Sequence, residues 1–378
     1  MEMKLSDRDL QVRGVNLGNW LVLEKWMSPL MFEETAAEDE YRLVRELSEE
    51  VYRERMERHR SEYITQTDFM MIKQMGCNAV RIPIPYYIFG DRPPYIGCIE
   101  YLDRAFDWAE EYGLQILIDL HTVPGSQNGF DNGGICGVCC WAEQPDEVEF
   151  VLNLLERLAQ RYGHRNGLFG IQPLNEPITD VLLGDKTWKQ HEAEGAYRAR
   201  NAQMLEASAP IKLSFLREFY TEAYVRIRRY MPAPKYYVIH DAFMITAWKD
   251  FMQTSEYENV ILDSHMYLSS LEIGGVERSL QGYGFGLDYG YGRRITEMSE
   301  YFPVICGEWC LSNEYAKTLP DGVQKDAFYQ ELAKLSMKTW SKGAGGFYWS
   351  YKLITSESDL DAWDIRKCVL RGWLPSAF

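Results

Sequence analysis

Eight short apolar segments alternate with segments of helical period along the chain, and this alternation restricts the fold more than any other feature. The apolar segments are nearly continuous, as in parallel strands that are buried on both faces. We expect strands over residues 12–17, 78–84, 115–121, 169–175, 236–240, 260–267, 303–308 and 345–351. Eight strand–helix units without a Ser/Pro-rich linker predict an α/β fold, a single (β/α)8 TIM barrel over residues 1–378.

The segments between the strands show the spacing of amphipathic helices, and a glycine follows each of the first three. Helices are expected over residues 64–75, 102–112, 148–162, 214–230, 323–341 and 362–370. Ser214 is the expected N-cap of the fourth helix. An extra charged helix with a solvated face is expected within residues 33–63, after the first strand.

Two of the βα connections are long. Residues 178–213 form a polar insertion after the fourth strand, and residues 274–292 form a loop rich in Gly and Tyr after the sixth. Long connections after barrel strands surround the carboxyl ends of the strands, where barrel enzymes bind their substrates. We expect the insertion 178–213 to shape the leaving-group side of a substrate site.

The charge of the chain excludes several partners. It has 40 Lys+Arg and 56 Asp+Glu residues, a formal net charge of −16, which argues against nucleic acids and anionic membranes. The sequence contains no run of about 18 apolar residues, so no membrane-spanning helix is expected. The first residues, MEMKLSDRDLQVRG, lack the apolar core of a secretory signal, which predicts a cytoplasmic protein. The oligomeric state stays open.

Three of the eight cysteines, Cys136, Cys139 and Cys140, cluster in the motif CGVCC. A CxxC motif can bind zinc or carry out redox chemistry, but no second pair of ligands follows at zinc-finger spacing. We interpret the cysteines as free thiols and expect no metal or organic cofactor.

Aromatic residues make up 14% of the chain, which suits sugar binding as well as core packing. Trp141, Trp188 and Trp309 are possible stacking platforms, but we favour packing in the core or at the surface for these three.

Polar residues follow the apolar strands at the carboxyl ends that should form one rim of the barrel. The fourth and seventh strands lead into Glu176 and Glu308. A single carboxylate of this kind could be a structural ion pair, but two on opposite sides of a barrel suit the cleavage of a glycosidic bond. One carboxyl group then protonates the leaving oxygen while the other acts as an anion. Arg81 or a tyrosine hydroxyl beside one glutamate would keep it ionised.

The motifs in this order resemble glycoside hydrolase family 5, a retaining (β/α)8 family of clan A. The resemblance covers almost the whole chain and is nearest to the exo-β-1,3-glucanase branch and to bacterial β-mannosidase-like members. It rests on RGVNLGNWLVLEKW (13–26), RIP (81–83), DLH (119–121), PGSQNGFDN (124–132), LNEP (174–177), HDAF (240–243), SHMY (264–267), GEW (307–309) and YWSY (348–351).

The resemblance implies roles for individual residues. Glu176 corresponds to the general acid/base and Glu308 to the nucleophile, and their carboxyl groups should lie about 5–5.5 Å apart. Arg81 and Tyr267 would hold Glu308 ionised, and Asn175 would bind the sugar 2-hydroxyl. The remaining residues implied to bind sugar are His121, His265, Trp349, Glu24, Asp131 and Asn132.

Some segments depart from the family pattern, such as HTVPGSQ after the third strand and SHMY after the sixth. They lie around the pocket, so the identity of the sugar stays open. We expect a retaining exo-β-glycosidase that removes terminal β-linked glucose or mannose from short oligosaccharides. The alternatives are a transglycosylase with the same glutamates and an inactive carbohydrate-binding barrel.

Overall fold

The computed structural model describes residues 10–376, and its centre is a closed barrel of eight parallel strands. Each strand pairs with the next along the chain, and the last pairs with the first. The strands are β1 Val12–Asn16, β2 Ala79–Ile84, β3 Gln115–Leu120, β4 Leu168–Gln172, β5 Tyr236–His240, β6 Val260–His265, β7 Val304–Trp309 and β8 Gly345–Tyr348. The expected (β/α)8 barrel is therefore confirmed. Most expected strands run one to three residues too far, because their polar ends leave the ladder to face the rim.

Helices surround this barrel. The α-helices are Glu40–Glu46, Glu49–Glu62, Gln66–Gln74, Ile99–Tyr112, Pro145–Tyr162, Asp180–Leu183, Trp188–Glu194, Ala202–Glu206, Leu213–Arg228, Leu268–Ile273, Leu280–Phe285, Arg293–Met298, Glu314–Lys317, Val323–Trp340 and Ile365–Leu370. Short 3-10 turns span Pro29–Phe32, Asp131–Gly133, Trp141–Glu143, Ile245–Trp248 and Ser358–Trp363, and a π-helical segment spans Gly286–Gly292. Within residues 10–376, no helix is long and apolar enough to cross a membrane.

The extra helix after β1 differs from the expected one. The segment 33–63 contains two helices rather than one, because Ser48 interrupts the first and caps the second by accepting a hydrogen bond from the Val51 N–H. The segment is also less solvated than its charge suggests. Glu40 and Arg60 are buried and lie 3.7 Å apart.

Two other connections also differ from expectation. The eight strand–helix units are incomplete at the fifth, where the described chain between β5 and β6 forms only the turn Ile245–Trp248. The expected loop 274–292 is mostly helical, since its glycines permit close packing. A Cβ atom at Gly282 would lie 2.1 Å from the carbonyl oxygen of Glu277.

The insertion after β4 is also more ordered than a polar loop. It carries the three short helices between Asp180 and Glu206. The next helix begins at Leu213 with Lys212 as its N-cap, so the expected capping role of Ser214 is wrong. Ser214 is the second residue of this helix and therefore cannot cap it, and the Leu213 N–H is satisfied by the Asp180 side chain at 3.0 Å.

The barrel interior changes from apolar to polar along its axis. Side chains at alternate strand positions share one face, and the lower interior positions are apolar, as in Leu117 and Ile261. Two residues further along the same strands stand Asp119 and Asp263, which are fully buried. The apolar layer stabilises the closed barrel, and the polar layer above it supports the side chains of the rim.

Candidate active site

Glu308 lies in β7 and is almost fully buried. Arg81 Nη1 donates to its Oε1 at 2.7 Å, and the Tyr267 hydroxyl donates to its Oε2 at 2.7 Å. Burial raises the pKa of Glu308, and the positive charges of His265 and Arg81 oppose that rise. The site therefore holds a buried carboxylate whose ionised form depends on two directed donors.

Glu176 lies just beyond the end of β4, on the side facing Glu308. It adopts a left-handed backbone conformation with φ of 44°, which is unusual for a residue other than glycine. His265 Nδ1 lies 2.7 Å from its Oε1, and Asn132 Nδ2 donates to its Oε2 at 2.8 Å. Burial raises the pKa of Glu176, but the hydrogen bond and charge of His265 outweigh it and lower the pKa to about 2.

His265 connects the two carboxyl groups. Its Nδ1 is 2.7 Å from Glu176 Oε1 and 3.5 Å from Glu308 Oε2. These two oxygens are therefore at most about 6 Å apart, so a single imidazole lies between two neighbouring carboxyl groups.

Arg81 is fully buried and organises the floor of the site. Besides Glu308, its guanidinium lies 3.1 Å from Asp119 Oδ2 and donates to Asn175 Oδ1 at 2.7 Å. It also donates to Asn16 Oδ1 and to Gln172 Oε1, each at 2.9 Å. A guanidinium has five N–H donors in a rigid plane, so Arg81 orients Glu308 and Asn175 at the same time.

A second buried layer supports His265. Asp263 Oδ2 lies 3.4 Å from His265 Nε2 and accepts a hydrogen bond from Gln172 at 2.7 Å. Burial lowers the pKa of His265, but the charges of Glu308 and Asp263 dominate and raise it well above its usual value. His240 packs against His265 with the ring centres 4.4 Å apart, and burial and the charge of His265 lower the pKa of His240 to about 3.

Several buried polar atoms of this site have no hydrogen-bond partner among residues 10–376, and two of them belong to Asn175 and His121. Arg81 donates a hydrogen bond to Asn175 Oδ1, and the Asp119 carboxylate lies 2.6 Å from His121 Nδ1. Asn175 Nδ2 and His121 Nε2 are then left without a protein partner among residues 10–376. The ring of Trp349 stacks on His121, 5.6 Å between centres and 8° between planes. Such groups are ready to bind a polyhydroxylated ligand beside an aromatic face.

The loops after β1 and β3 bring further carboxylates to the same pocket. Asn19 takes a left-handed conformation, and its side chain accepts the Glu24 N–H at 2.9 Å, which shapes this loop. Trp26 Nε1 donates to Glu24 Oε2 at 2.9 Å. Desolvation and the negative charge of Asp131 raise the pKa of Glu24. Asn132 follows Asp131 and, as described, bonds Glu176. The structure thus brings together all of the sequence-predicted site residues.

Several residues of the site were not singled out from the sequence. They are the supporting residues Gln172 and Asp263, together with Tyr197, which lies beside Asp131. Asn16, Asp119 and His240 are recognisable in the sequence as polar residues near strand ends, but no role follows for them from the sequence alone. Asp263 could have been found from the period-two pattern of its strand. Tyr197 has no such signal, because it lies in an insertion without strand periodicity.

The other tryptophans and the cysteines lie elsewhere. Trp141, Trp188 and Trp309 are buried in the main hydrophobic core. They are packing residues, as we favoured, and do not form platforms for a sugar. All eight cysteines are free and buried, as the reading as free thiols predicts. The Glu176 carboxylate and one ring nitrogen each of His240 and His265 lie within 4.8 Å of one another, a spacing that a metal ion could bridge.

An eight-stranded barrel with two neighbouring buried glutamates at its rim is the arrangement of a glycoside hydrolase that acts through a pair of carboxyl groups. Comparison with known proteins agrees with this class. Residues 46–346 match the model of the family described as cellulase (glycosyl hydrolase family 5). The chain therefore belongs to glycoside hydrolase family 5, and it is a glycoside hydrolase.

Similar proteins include the glucan 1,3-beta-glucosidase of Candida oleophila, which is 36% identical over 97% of this chain and 88% of its own length. The probable glucan 1,3-beta-glucosidase A of Emericella nidulans is 37% identical over 79% of this chain and 67% of its own. Among solved structures, rutinosidase from Aspergillus niger aligns with a TM-score of 0.73 at 20% identity, covering 98% of this chain and 99% of its own. That likeness concerns the fold alone.

Proposed function

We propose that this protein is a retaining exo-β-glycosidase that releases terminal β-linked glucose from short 1,3-linked glucan oligosaccharides. The observation that carries the proposal is the pair Glu176 and Glu308, two buried carboxyl groups that lie on either side of His265, as a double displacement requires two neighbouring carboxyl groups. The names of the relatives support the sugar and its linkage. Mannose is the alternative terminal sugar, since it differs from glucose only at the 2-hydroxyl.

In the first step, Glu308 attacks the anomeric carbon as a carboxylate. The bond from that carbon to the leaving oxygen breaks, an ester to Glu308 forms, and Glu176 gives its proton to the leaving oxygen. In the second step, Glu176 removes a proton from water while the water oxygen displaces Glu308. Arg81 and Tyr267 stabilise the carboxylate of Glu308 before attack and after release.

The proton that protonates the leaving oxygen is shared between His265 and Glu176, which are joined by a hydrogen bond. In the free enzyme the positive His265 favours the ionised form of Glu176. Their 2.7 Å hydrogen bond allows the proton to pass to Glu176 when a glycosidic oxygen approaches. Asp263 and Gln172 keep the imidazole in place during this transfer.

The surroundings favour a pocket for one terminal sugar over an open cleft. Asn175 Nδ2 would donate to the sugar 2-hydroxyl, His121 Nε2 would bind a neighbouring hydroxyl, and Trp349 would support the ring. Glu24, Asp131 and Asn132 approach from two loops and limit the space beyond that sugar. This arrangement supports exo action.

The test compares nitrophenyl β-glucoside with nitrophenyl β-mannoside, and laminaribiose with mannosyl-β-1,4-N-acetylglucosamine. We expect turnover of the glucosides, and from laminaripentaose the release of glucose from the earliest time. A preference for the mannosides would overturn the assignment of glucose as the terminal sugar. Early release of longer fragments would overturn the assignment of exo action. Glu308→Gln should abolish turnover of every substrate, and wild-type rates in that variant would refute the mechanism.

Hydrolysis and sugar transfer use the same two glutamates, and the names of the relatives favour hydrolysis. Product analysis at high laminaribiose concentration separates the two reactions. Glucose as the sole product supports hydrolysis, whereas trisaccharides as the major product would identify a transglycosylase. Binding of laminaribiose without any turnover would instead identify an inactive carbohydrate-binding barrel.

A further inference from the structure

The insertion 178–213, which the reaction above does not use, is closed at its base. Thr179 pairs with Ile211 as an isolated parallel bridge, and the Asp180 N–H donates to the Ile211 carbonyl at 2.9 Å. The Asp180 side chain also accepts the Leu213 N–H. The insertion therefore leaves and rejoins the barrel at one point, directly after the strand that leads to Glu176.

The middle of the insertion packs on the loop after β3. Trp188 is buried, and its Nε1 donates to the Gly137 carbonyl at 3.0 Å. Gly137 has φ of 79°, and a Cβ atom there would lie 2.0 Å from the backbone nitrogen of Ala199. The two backbones touch so closely that only glycine fits at position 137.

The motif CGVCC forms the rest of this contact. The Cys139 N–H donates to Ser208 Oγ at 2.9 Å, and the Cys139 carbonyl accepts the Ala209 N–H at 2.9 Å. A second attachment joins the insertion to the loop after β1, where Arg200 lies 2.6 Å from Glu38 Oε1. The insertion is thus held by the two loops that also carry Glu24 and Asp131.

Tyr197 lies between these attachments and reaches the pocket. Its ring centre is 6.1 Å from that of Phe130, the residue before Asp131, so its hydroxyl lies near the Asp131 carboxylate. Desolvation raises the pKa of Asp131, and the neighbouring Tyr197 hydroxyl opposes that rise. Burial and the charge of Asp131 raise the pKa of Tyr197, so this tyrosine remains a neutral donor.

We infer that the insertion 178–213 is a specificity element and that Tyr197 is the positioning residue through which it acts. Tyr197 holds the Asp131 carboxylate in the orientation that accepts hydrogen bonds from the hydroxyl groups of the terminal pyranose. The inference rests on the proposed function, because it requires that a terminal sugar fills this pocket.

The test is the variant Tyr197→Phe, which keeps the ring and removes the hydroxyl. An interaction made equally in the ground state and the transition state affects binding alone. We expect the KM for nitrophenyl β-glucoside to rise about tenfold, the effect of losing one hydrogen bond to a charged group, with kcat within about twofold. Tyr289→Phe, at an exposed tyrosine on the outer surface, is the matched control and should match the wild type.

A double-mutant cycle separates positioning from a general structural effect. In an Asp131→Asn background, Tyr197→Phe should change KM by less than about twofold, because its partner carboxylate is gone. An unchanged KM in Tyr197→Phe, or a tenfold effect that persists beside Asp131→Asn, would overturn the inference. Both outcomes presuppose an active wild-type enzyme. A wild type that hydrolyses no β-glycoside would instead overturn the proposed function.

Discussion

Removal of the Tyr267 hydroxyl tests the electrostatics of the site most directly. This hydroxyl donates to Glu308 Oε2 at 2.7 Å. Tyr267→Phe keeps the ring, which packs 5.3 Å from the centre of Trp363. The variant therefore removes one hydrogen bond to a buried carboxylate and little else.

The size of the effect follows from the strength of that hydrogen bond. A hydrogen bond to a charged group contributes about 1.5–3 kcal/mol, and one pKa unit corresponds to about 1.4 kcal/mol. Burial already raises the pKa of Glu308, and the loss of a donor to the ionised form raises it further. We expect an increase of about one to two units.

The sign of the kinetic effect is determined by the ionised nucleophile. Since Glu308 must be a carboxylate to attack, a higher pKa moves the acidic limb of the kcat/KM profile to higher pH by the same amount. The assay is kcat/KM for nitrophenyl β-glucoside from pH 3 to pH 9, with Tyr289→Phe as control. An acidic limb that stays in place, or a loss of rate that is uniform across the pH range, would refute the reasoning.

Three further predictions concern other parts of the molecule. Glu176→Ala should lower kcat/KM for laminaribiose far more than for dinitrophenyl β-glucoside, because kcat/KM reports the first step and a good leaving group needs little protonation there. Equal losses of kcat/KM for the two substrates would contradict this. Burial raises the pKa of Asp241 from 3.8 to about 7, and its carboxylate accepts from Ser264. The contribution of Asp241 to stability therefore falls as pH rises from about 4 through 7, and Asp241→Asn should raise the free energy of unfolding by about 1–3 kcal/mol at pH 8 and by little at pH 4. Urea unfolding at the two pH values measures this, and a larger gain at pH 4 would reverse the sign. A Cβ at Gly18 would lie 2.8 Å from Trp349 Cζ2, so Gly18→Ala should displace the indole ring. We expect kcat/KM to fall about tenfold or more while circular dichroism shows an intact fold. An unchanged kcat/KM would show that this ring does not contact the sugar.

Much of the fold and the reacting pair could be predicted from local sequence. A strand that is buried on both faces must be continuously apolar, so eight such segments with helices between them define a closed parallel barrel. The polar residue that ends such a segment has to lie at the rim. This rule located Glu308 and His121. Arg81 was assigned to the same rim, but it lies inside β2 and reaches the site from the floor of the barrel. The same rule located Glu176 less directly, since that residue lies beyond β4 in a left-handed turn.

The buried polar residues that support the rim could be predicted from the sequence only in part. Asp119 and Asp263 stand two residues before His121 and His265, so they share the inward face of β3 and β6. Their partners could not be inferred from spacing. Gln172 connects Arg81 with Asp263 only because strands β2, β4 and β6 face one another across the barrel.

What the sequence determined by itself is the barrel, its rim and the chemical types of the groups on that rim, because periodicity and burial are local properties of a strand. What only the tertiary structure decided is which groups meet. His265 lies between Glu176 and Glu308 because the closed barrel brings β6 beside β7 and faces both toward β4. Tyr197 reaches Asp131 because Gly137 lets two backbones touch. Contacts between residues far apart in the chain depend on shape complementarity, which no local pattern encodes.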